Sequence, residues 1–376
     1  MLQQRFIHKL TFLLIQYGMI PFSLFFILFQ ISPAWARLDQ IPGSRYTSAQ
    51  VAAQGDAALG LPEDVMSGLF YNPAILGKIK KPKLTLLDIA FSPSFGLLTS
   101  SGVDFKKMIS LNEAKSFMSS HLDQSFGSSG RYSLSFGVSG FAVGLLVQAE
   151  AVGKALDPQL IFYRSSFQVI PSIGYGRSFF RGLLRLGYSL QWVNQASGVG
   201  VGSLQDSISY TSGLTQGSGF AHQAGLAFTF PMMMLPELDL VARNIGGLQY
   251  SSSSWMRVFK NSVGTPPSEP MTLDGVLTLH PAFGAFSILN LSLAYRDITH
   301  QSSARVRDHV AAGAELLVAQ RVMLRGGMRG VYPSFGLGFR GRRADLSLTY
   351  YSENAGLGSL EVKNTQVVFQ YSIRAF

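Results

Sequence analysis

The sequence predicts an all-β membrane protein, a transmembrane antiparallel β-barrel of about fourteen strands with an N-terminal plug. Its composition combines 47% apolar with only 14% charged residues, and soluble proteins carry about 25% charged residues. From Lys83 to the C-terminus, segments that alternate apolar and polar residues recur between turn residues. A period of two with one apolar face is typical of strands that meet lipid on their outer side.

The last segment, Asn364–Phe376, shows this pattern most clearly. Phe369, Tyr371 and their apolar neighbours fall on one side of an extended chain, and glutamines, Ser372 and Arg374 fall on the other. We predict that it closes the barrel, and that Phe369, Tyr371 and Phe376 form an assembly signal. Phe376 is out of phase with the apolar face, so either a bulge restores the phase or its ring points inward.

Fourteen segments fit the strand pattern, and their connections alternate between long and short. The long connections are mostly polar, which predicts outside loops, short periplasmic turns and both termini in the periplasm. The predicted strands are Lys83–Phe91, Arg131–Ser139, Gly140–Val152, Ser166–Phe180, Gly182–Ala196, Gly219–Pro231, Glu237–Gly246, Met271–Pro281, Phe286–Ile298, His309–Ala319, Arg321–Gly330, Ser334–Gly341, Arg343–Glu353 and Asn364–Phe376.

The first 36 residues have the features of a signal peptide. Arg5 and Lys9 precede a long apolar run, and Ala34 and Ala36 form a small-x-small cleavage signature. We predict cleavage after Ala36 and export to the outer membrane of a Gram-negative bacterium. The run is longer than a usual signal core, so an uncleaved anchor is the alternative.

Residues 37–82 lack alternation and are rich in glycine and proline, which predicts turns and short helices rather than strands. Asn72 is expected to cap a helix that has Pro73 at its first position. We therefore divide the chain into a leader at 1–36, a plug or hatch at 37–82 and the barrel at 83–376. The motif of the plug consists of Glu63, Asp64, Asn72, Pro73 and Ala74.

With this motif between a leader and a series of strands, the chain resembles outer-membrane barrels of the long-chain fatty-acid transporter superfamily. Type IX secretion-associated barrels share the motif. The resemblance implies a hatch in the lumen whose movement gates passage, and hence passive uptake of a hydrophobic small molecule. The loop segments Phe95–Leu98 and Phe117–Met118 are candidates for its capture. The alternative is a non-transporting barrel that docks a partner protein for secretion or surface attachment.

The polar phase of the strands is predicted to face the lumen. One interpretation is an ionic network that fixes the plug. The other is a substrate head-group site, in which Arg243, Arg325, Arg329 and Arg340 bind a carboxylate. The polar residues predicted to line the lumen are Glu150, Arg185, Gln191, Asp239, Arg243, Asp274, His280, Glu315, Arg325, Arg329, Arg340 and Asp345.

The sequence contains no recognisable catalytic or metal-binding constellation, and we expect no enzyme activity, metal or cofactor. Histidines do not fall at metal-ligand spacings, and no Gly-x-Ser-x-Gly motif occurs. A triad near His300 and His309, with Asp297 or Asp308 and Ser302, is the alternative. Expected partners are outer-membrane lipid and lipopolysaccharide, the barrel-assembly machinery and a hydrophobic ligand, but not nucleic acid, because basic residues are scattered.

Overall fold

A computed structural model describes most of the barrel and much of the plug. Glu63, Phe117, Phe376 and the predicted leader lie outside the described residues. The described residues are 45–59, 64–100, 118, 121–122, 124–203, 214–252, 258–259, 262–283, 287–302, 304–355 and 362–375.

Fourteen antiparallel strands form a closed ring, which confirms the predicted fold class. Each strand pairs with the next along the chain, and β14 pairs with β1 to close the barrel. A two-residue strand, Ala282–Phe283, pairs with the start of β9. The strands are β1 Lys83–Pro93, β2 Ser125–Val138, β3 Phe141–Ala155, β4 Leu160–Phe179, β5 Leu184–Ser203, β6 Thr215–Thr229, β7 Glu237–Arg243, β8 Thr272–Leu279, β9 Ser287–Tyr295, β10 Val310–Val318, β11 Val322–Arg329, β12 Tyr332–Arg340, β13 Ala344–Asn354 and β14 Lys363–Arg374.

Strand length differs greatly around the ring. Strands β4 and β5 have 20 residues each, whereas β7 has 7. Parts of the segments predicted as loops at 92–130, 153–165 and 197–218 are therefore strand. Two of these extensions, 125–130 and 197–203, consist largely of Ser and Gly, so they lack the apolar alternation by which the other strands are detected.

The two ends of the barrel differ in their connections. We call the end that carries the short connections, such as Ser139–Gly140, the turn end, and the opposite one the loop end. Between them the outer surface is a band of exposed apolar side chains. Phe369 and Tyr371 belong to it, with 47% and 40% of their surface exposed. None of the helices that the structure describes is long and apolar enough to span a bilayer.

The plug consists of short helices enclosed by the strands. These are α1 Ala49–Ala52, α2 Val65–Phe70 and a 3-10 helix, Pro73–Lys78. Their residues are almost wholly buried, and α2 packs its apolar side chains against inward-facing residues of β3 to β6. In the part of the chain that the structure describes, the short helices outside the plug include α3 Phe95–Ser100 and the 3-10 helices Phe180–Gly182 and Val306–His309.

Candidate functional site

Asn72 joins the plug to the barrel wall. Its Oδ1 accepts a hydrogen bond from the Ala74 backbone N–H (3.0 Å), which caps the 3-10 helix as the sequence predicts. Its Nδ2 donates to Oδ1 of Asp239 on β7 (2.8 Å). Asn72 is fully buried, so one side chain both starts the helix and fixes it to the wall.

Glycines in the wall make room for the motif. A Cβ on Gly225 would lie 2.0 Å from Asn72 Oδ1, and one on Gly187 would lie 2.1 Å from the Pro73 carbonyl carbon. Real side chains do not approach this closely. Strands β5 and β6 can therefore receive the Asn72–Pro73 backbone only where they carry no side chain.

Asp64 caps helix α2. Its carboxylate accepts hydrogen bonds from the backbone N–H groups of Met66 (3.0 Å) and Ser67 (3.2 Å), and from the Ser67 hydroxyl (2.8 Å). Burial, followed by the negative charge of Asp88, raises the pKa of the Asp64 carboxyl, and the hydrogen bonds only partly oppose this shift. The hydrogen-bond partners of this acidic motif residue therefore lie in the helix that it caps.

Arg243 holds the C-terminal end of α2 in place. Its Nε lies 2.8 Å from Asp274 Oδ2, while its Nη1 donates to the Phe70 carbonyl (2.8 Å). The same Asp274 oxygen also pairs with Arg296 (2.9 Å), which in turn donates to the Asp56 carbonyl of the plug. Two arginines therefore share one buried carboxylate and satisfy plug carbonyls that would otherwise lack donors.

A second group of predicted lumen residues holds the first part of the plug. Arg325 pairs with Glu315 (2.6 Å) and donates to Gln50 of α1 (3.0 Å), and Arg329 pairs with Asp56 (3.2 Å). These guanidinium groups, like that of Arg243, bind groups of the protein. Their contacts match the ionic-network interpretation rather than a vacant carboxylate site.

The remaining predicted lumen residues lie further from the motif. Arg185 pairs with Glu237 (2.7 Å), and Lys78 of the plug pairs with the same carboxylate (3.3 Å). Glu150 stands beside Ser129 and Ser166 in the ladder. Arg340 is opposite Asp345, and its Nε has no hydrogen-bond partner among the described residues.

Asp88 at the β14–β1 seam is a site residue that the sequence reasoning missed. Its buried carboxylate accepts hydrogen bonds from Gln370 (2.7 Å) and Ser372 (2.8 Å) of β14 and from Ser133 of β2 (2.9 Å). The hydroxyl of plug residue Tyr46 completes the set (3.0 Å). One acid on β1 therefore joins both neighbouring strands, β14 and β2, and the plug.

The signal for Asp88 was an irregularity in the first strand. The β1 ladder shifts register between Thr85 and Asp88, so adjacent Leu86 and Leu87 break the alternation. This bulge turns Asp88 inward. Arg131 of β2 lies 3.9 Å from the Asp88 carboxylate, with its guanidinium 4.5 Å from the centre of the Tyr46 ring.

The β4–β5 ladder is interrupted at Pro171. The ladder pairs Val169 with Asn194 and Ser172 with Gln191, but the two pairs between them are absent. Pro171, which has no N–H, occupies this break while its pairing with Leu145 of β3 is kept. A cavity of about 10 Å³ lies beside it, lined by Phe167, Val169, Asn194, Gln195, Ala196, Gln216 and Val258.

Asn194 partly covers the break. Its Nδ2 donates to the Val169 carbonyl (3.2 Å), whereas its buried Oδ1 has no hydrogen-bond partner among the described residues. On the inner side, Gln191 and Ser189 both donate to the Leu69 carbonyl of the plug at 2.9 Å. The break thus begins at the residue pair next to Ser172–Gln191, towards the loop end of the barrel.

The loop residues singled out from the sequence have different environments. Phe95 is 42% exposed, and its ring meets that of Tyr350 edge-on at 5.6 Å. Met118, in contrast, is fully buried. At the alternative triad, Asp297 accepts a hydrogen bond directly from the Ser302 hydroxyl (2.8 Å), with no imidazole between them. The described residues include no group of three potential metal ligands.

No protein-family model matches the chain, and no curated protein matches it in sequence. Among solved structures, it is similar to the P. putida toluene transporter TodX (11% identity, 88% of this chain and 99% of that chain, TM-score 0.51). A second TodX structure gives 12% identity, 89% and 99% coverage and a TM-score of 0.50. The CymD monoaromatic hydrocarbon channel is 13% identical, with 86% of this chain and 97% of that chain covered and a TM-score of 0.49. The chain therefore has the same barrel fold as TodX.

Proposed function

We propose that this protein is an outer-membrane channel for the passive uptake of hydrophobic small molecules, exported by a leader that is cleaved after Ala36. The band of exposed apolar side chains suits a lipid environment. The fold shared with the toluene transporter TodX supports the class of substrate. The observation that carries the proposal is the break in β4–β5 pairing at Pro171.

The plug argues against a straight path along the barrel axis. Its side chains fill the lumen beside β3 to β6, where Leu69 and Leu76 pack against strand positions without side chains, such as Gly174. Buried ion pairs at Arg243 and Arg325 hold it from the other side. A substrate that enters from the loop end therefore meets a tightly held plug and needs a sideways exit.

The break beside Pro171 supplies a place for that exit. It lies immediately on the loop-end side of Leu69, and two successive backbone pairs are missing there. Phe167, Val169 and Val258 line the adjacent cavity, which gives the opening an apolar wall. The cavity is too small for a hydrocarbon, so passage requires the Asn194 side chain to move. Its Nδ2 makes two long hydrogen bonds, to the carbonyls of Val169 (3.2 Å) and Trp192 (3.5 Å), so the movement costs little.

Capture from outside falls to the loop end. Phe95 lies in helix α3, directly after β1, and its exposed ring is held against Tyr350 of β13. Tyr350 shares the outward phase of β13 with the exposed Leu346 and Leu348, so the Phe95 ring lies on the outer face of the loop end. There it offers a first contact for an apolar solute.

Uptake by whole cells tests the function. The full chain is expressed in a Gram-negative host that lacks its own fatty-acid channel, and initial uptake of toluene and of oleate is measured. We expect a clear rise for at least one of these solutes over cells with empty vector. If a properly assembled barrel, shown by heat-modifiable gel mobility, raises uptake of neither solute, the proposal is wrong.

A further inference from the structure

Two adjacent connections at the turn end expose an unusual surface. The β4–β5 turn presents Phe180, with 73% of its surface exposed, and the β6–β7 turn presents Met232 and Met233, at 61% and 84%. The turns are neighbours, because the Thr229 backbone N–H donates to the Leu183 carbonyl (2.8 Å). A connection facing water would ordinarily carry polar residues.

Backbone conformation indicates that turn formation alone does not account for the bulky residues of these two turns. Phe180 and Arg181 both have positive φ (49° and 58°), as do Met234 and Leu235 (68° and 41°). Such positions favour Gly, Asn or Asp, and bulky residues there cost on the order of 1 kcal/mol each. The other short turns place small or polar residues there, for example Ser139–Gly140 and Ala319–Gln320.

Strand length explains the apolar part of this surface. Strand β7 has 7 residues and β8 has 8, whereas a transmembrane strand needs about 9–11. The apolar turn from Met232 to Leu235 continues the outward face of β7, where Leu238 is exposed. It therefore lengthens the apolar band where the strands are too short to cross the bilayer.

Exposed cations border the same surface. Arg177 belongs to the outward phase of β4, with its guanidinium 5.6 Å from the centre of the Phe179 ring. Arg181 lies at the tip of the turn and is also exposed. Among the described residues, β7 carries two acids near this end, and both are buried. Glu237 is shared by Arg185 and Lys78, and Asp239 accepts a hydrogen bond from Asn72. Both exposed guanidinium groups are therefore available to an external anion.

We propose that this surface binds an anionic phospholipid of the inner, periplasmic leaflet. Arg177 and Arg181 contact the phosphate, while Phe180, Met232 and Met233 contact the upper acyl chains. The charge of the arginines and the continuity of the methionines with the lipid-facing band favour lipid over protein as the occupant. The inference rests on the outer-membrane setting proposed above, but not on what the barrel transports.

The test measures lipid retention by the purified, folded full chain in detergent. Equal amounts of dioleoylphosphatidylglycerol and dioleoylphosphatidylcholine are added, and bound lipid is counted by native mass spectrometry. The wild type should retain the anionic lipid preferentially. Each arginine removed should reduce that preference about fivefold, the equivalent of about 1 kcal/mol per charge.

The informative variant is F180N/R181G. Asn and Gly suit the positive φ angles of this turn, so the variant should fold normally. A319N/Q320G makes the same change at a distant turn and should keep the preference. M232S/M233S should lower retention of both lipids equally. The inference is overturned if F180N/R181G with Arg177→Gln still prefers the anionic lipid, or if the wild type retains both lipids alike. Uptake assays on the same variants, expected to be unchanged, keep this result separate from the transport proposal.

Discussion

Asn72 donates a hydrogen bond from its Nδ2 to Asp239 of strand β7 at 2.8 Å, while its Oδ1 caps the helix that follows. We expect Asn72→Ala to loosen the plug by about 2 kcal/mol, because a cap is worth about 0.5–2 kcal/mol and a buried carboxylate loses a donor. Limited proteolysis of the folded barrel should show faster cleavage in the plug. N354A, a similar change at the loop end of β13, should leave plug cleavage unchanged.

Gly187→Ala should displace the plug more strongly than Asn72→Ala. The added methyl group would lie 2.1 Å from the Pro73 carbonyl carbon, so helix Pro73–Lys78 cannot keep its place. Gly130→Ala is the matched control, because no atom lies within 4 Å of its added Cβ. Proteolysis should release plug fragments from G187A alone. Equal protection of the two variants would contradict the close approach of plug and wall.

Asp88→Ala should weaken closure of the barrel. It leaves Arg131 without its buried carboxylate partner and removes the common acceptor of Tyr46, Ser133, Gln370 and Ser372. Breaking such a buried pair costs about 3–5 kcal/mol. Urea unfolding of the refolded barrel should show the loss as a lower midpoint. Substitution of the loop residue Asp157, also to Ala, should cost less than about 1 kcal/mol.

Acidification should tighten the plug through Asp64. Because its pKa is raised in the folded protein, the folded state binds this proton more tightly than the unfolded state. Stability therefore rises as pH falls from neutral through the folded pKa, and the gain is complete below the unfolded pKa. Proteolytic protection of the plug, followed in steps from neutral pH to below the unfolded pKa, measures this. The pH-dependent gain should be smaller in Asp64→Asn, and an unchanged gain would contradict the assignment.

The sequence predicted all fourteen strands because each crosses an apolar layer, and that layer imposes alternation on lipid-facing positions such as Phe369 and Tyr371. The prediction failed beyond that layer. Strands β2 and β5 extend into segments rich in Ser and Gly, which carry no apolar alternation.

The types of residue at the candidate site could be predicted from the sequence, but their hydrogen-bond partners could not. Asn72 and Pro73 could be recognised as a cap because capping depends on local sequence. The partner of Asn72 could not, since Asp239 lies 167 residues away and the register of closed strands decides which residues meet. The wall break could have been suspected from Pro171, since a proline in the interior of a predicted central strand removes a ladder hydrogen bond.

Closing the wall break tests passage through the wall most directly. Pro171→Val restores an N–H and a β-branched side chain at the point where two β4–β5 pairs are missing. Pro333→Val makes the same change in β12, where the pairing with Met328 is already present.

The decisive measurement is the initial uptake of toluene and oleate by cells that carry equal amounts of heat-modifiable wild-type, P171V or P333V barrel. We predict that P171V lowers uptake at least several-fold, while P333V matches the wild type. Uptake by P171V at the wild-type rate would contradict passage through the wall beside Pro171.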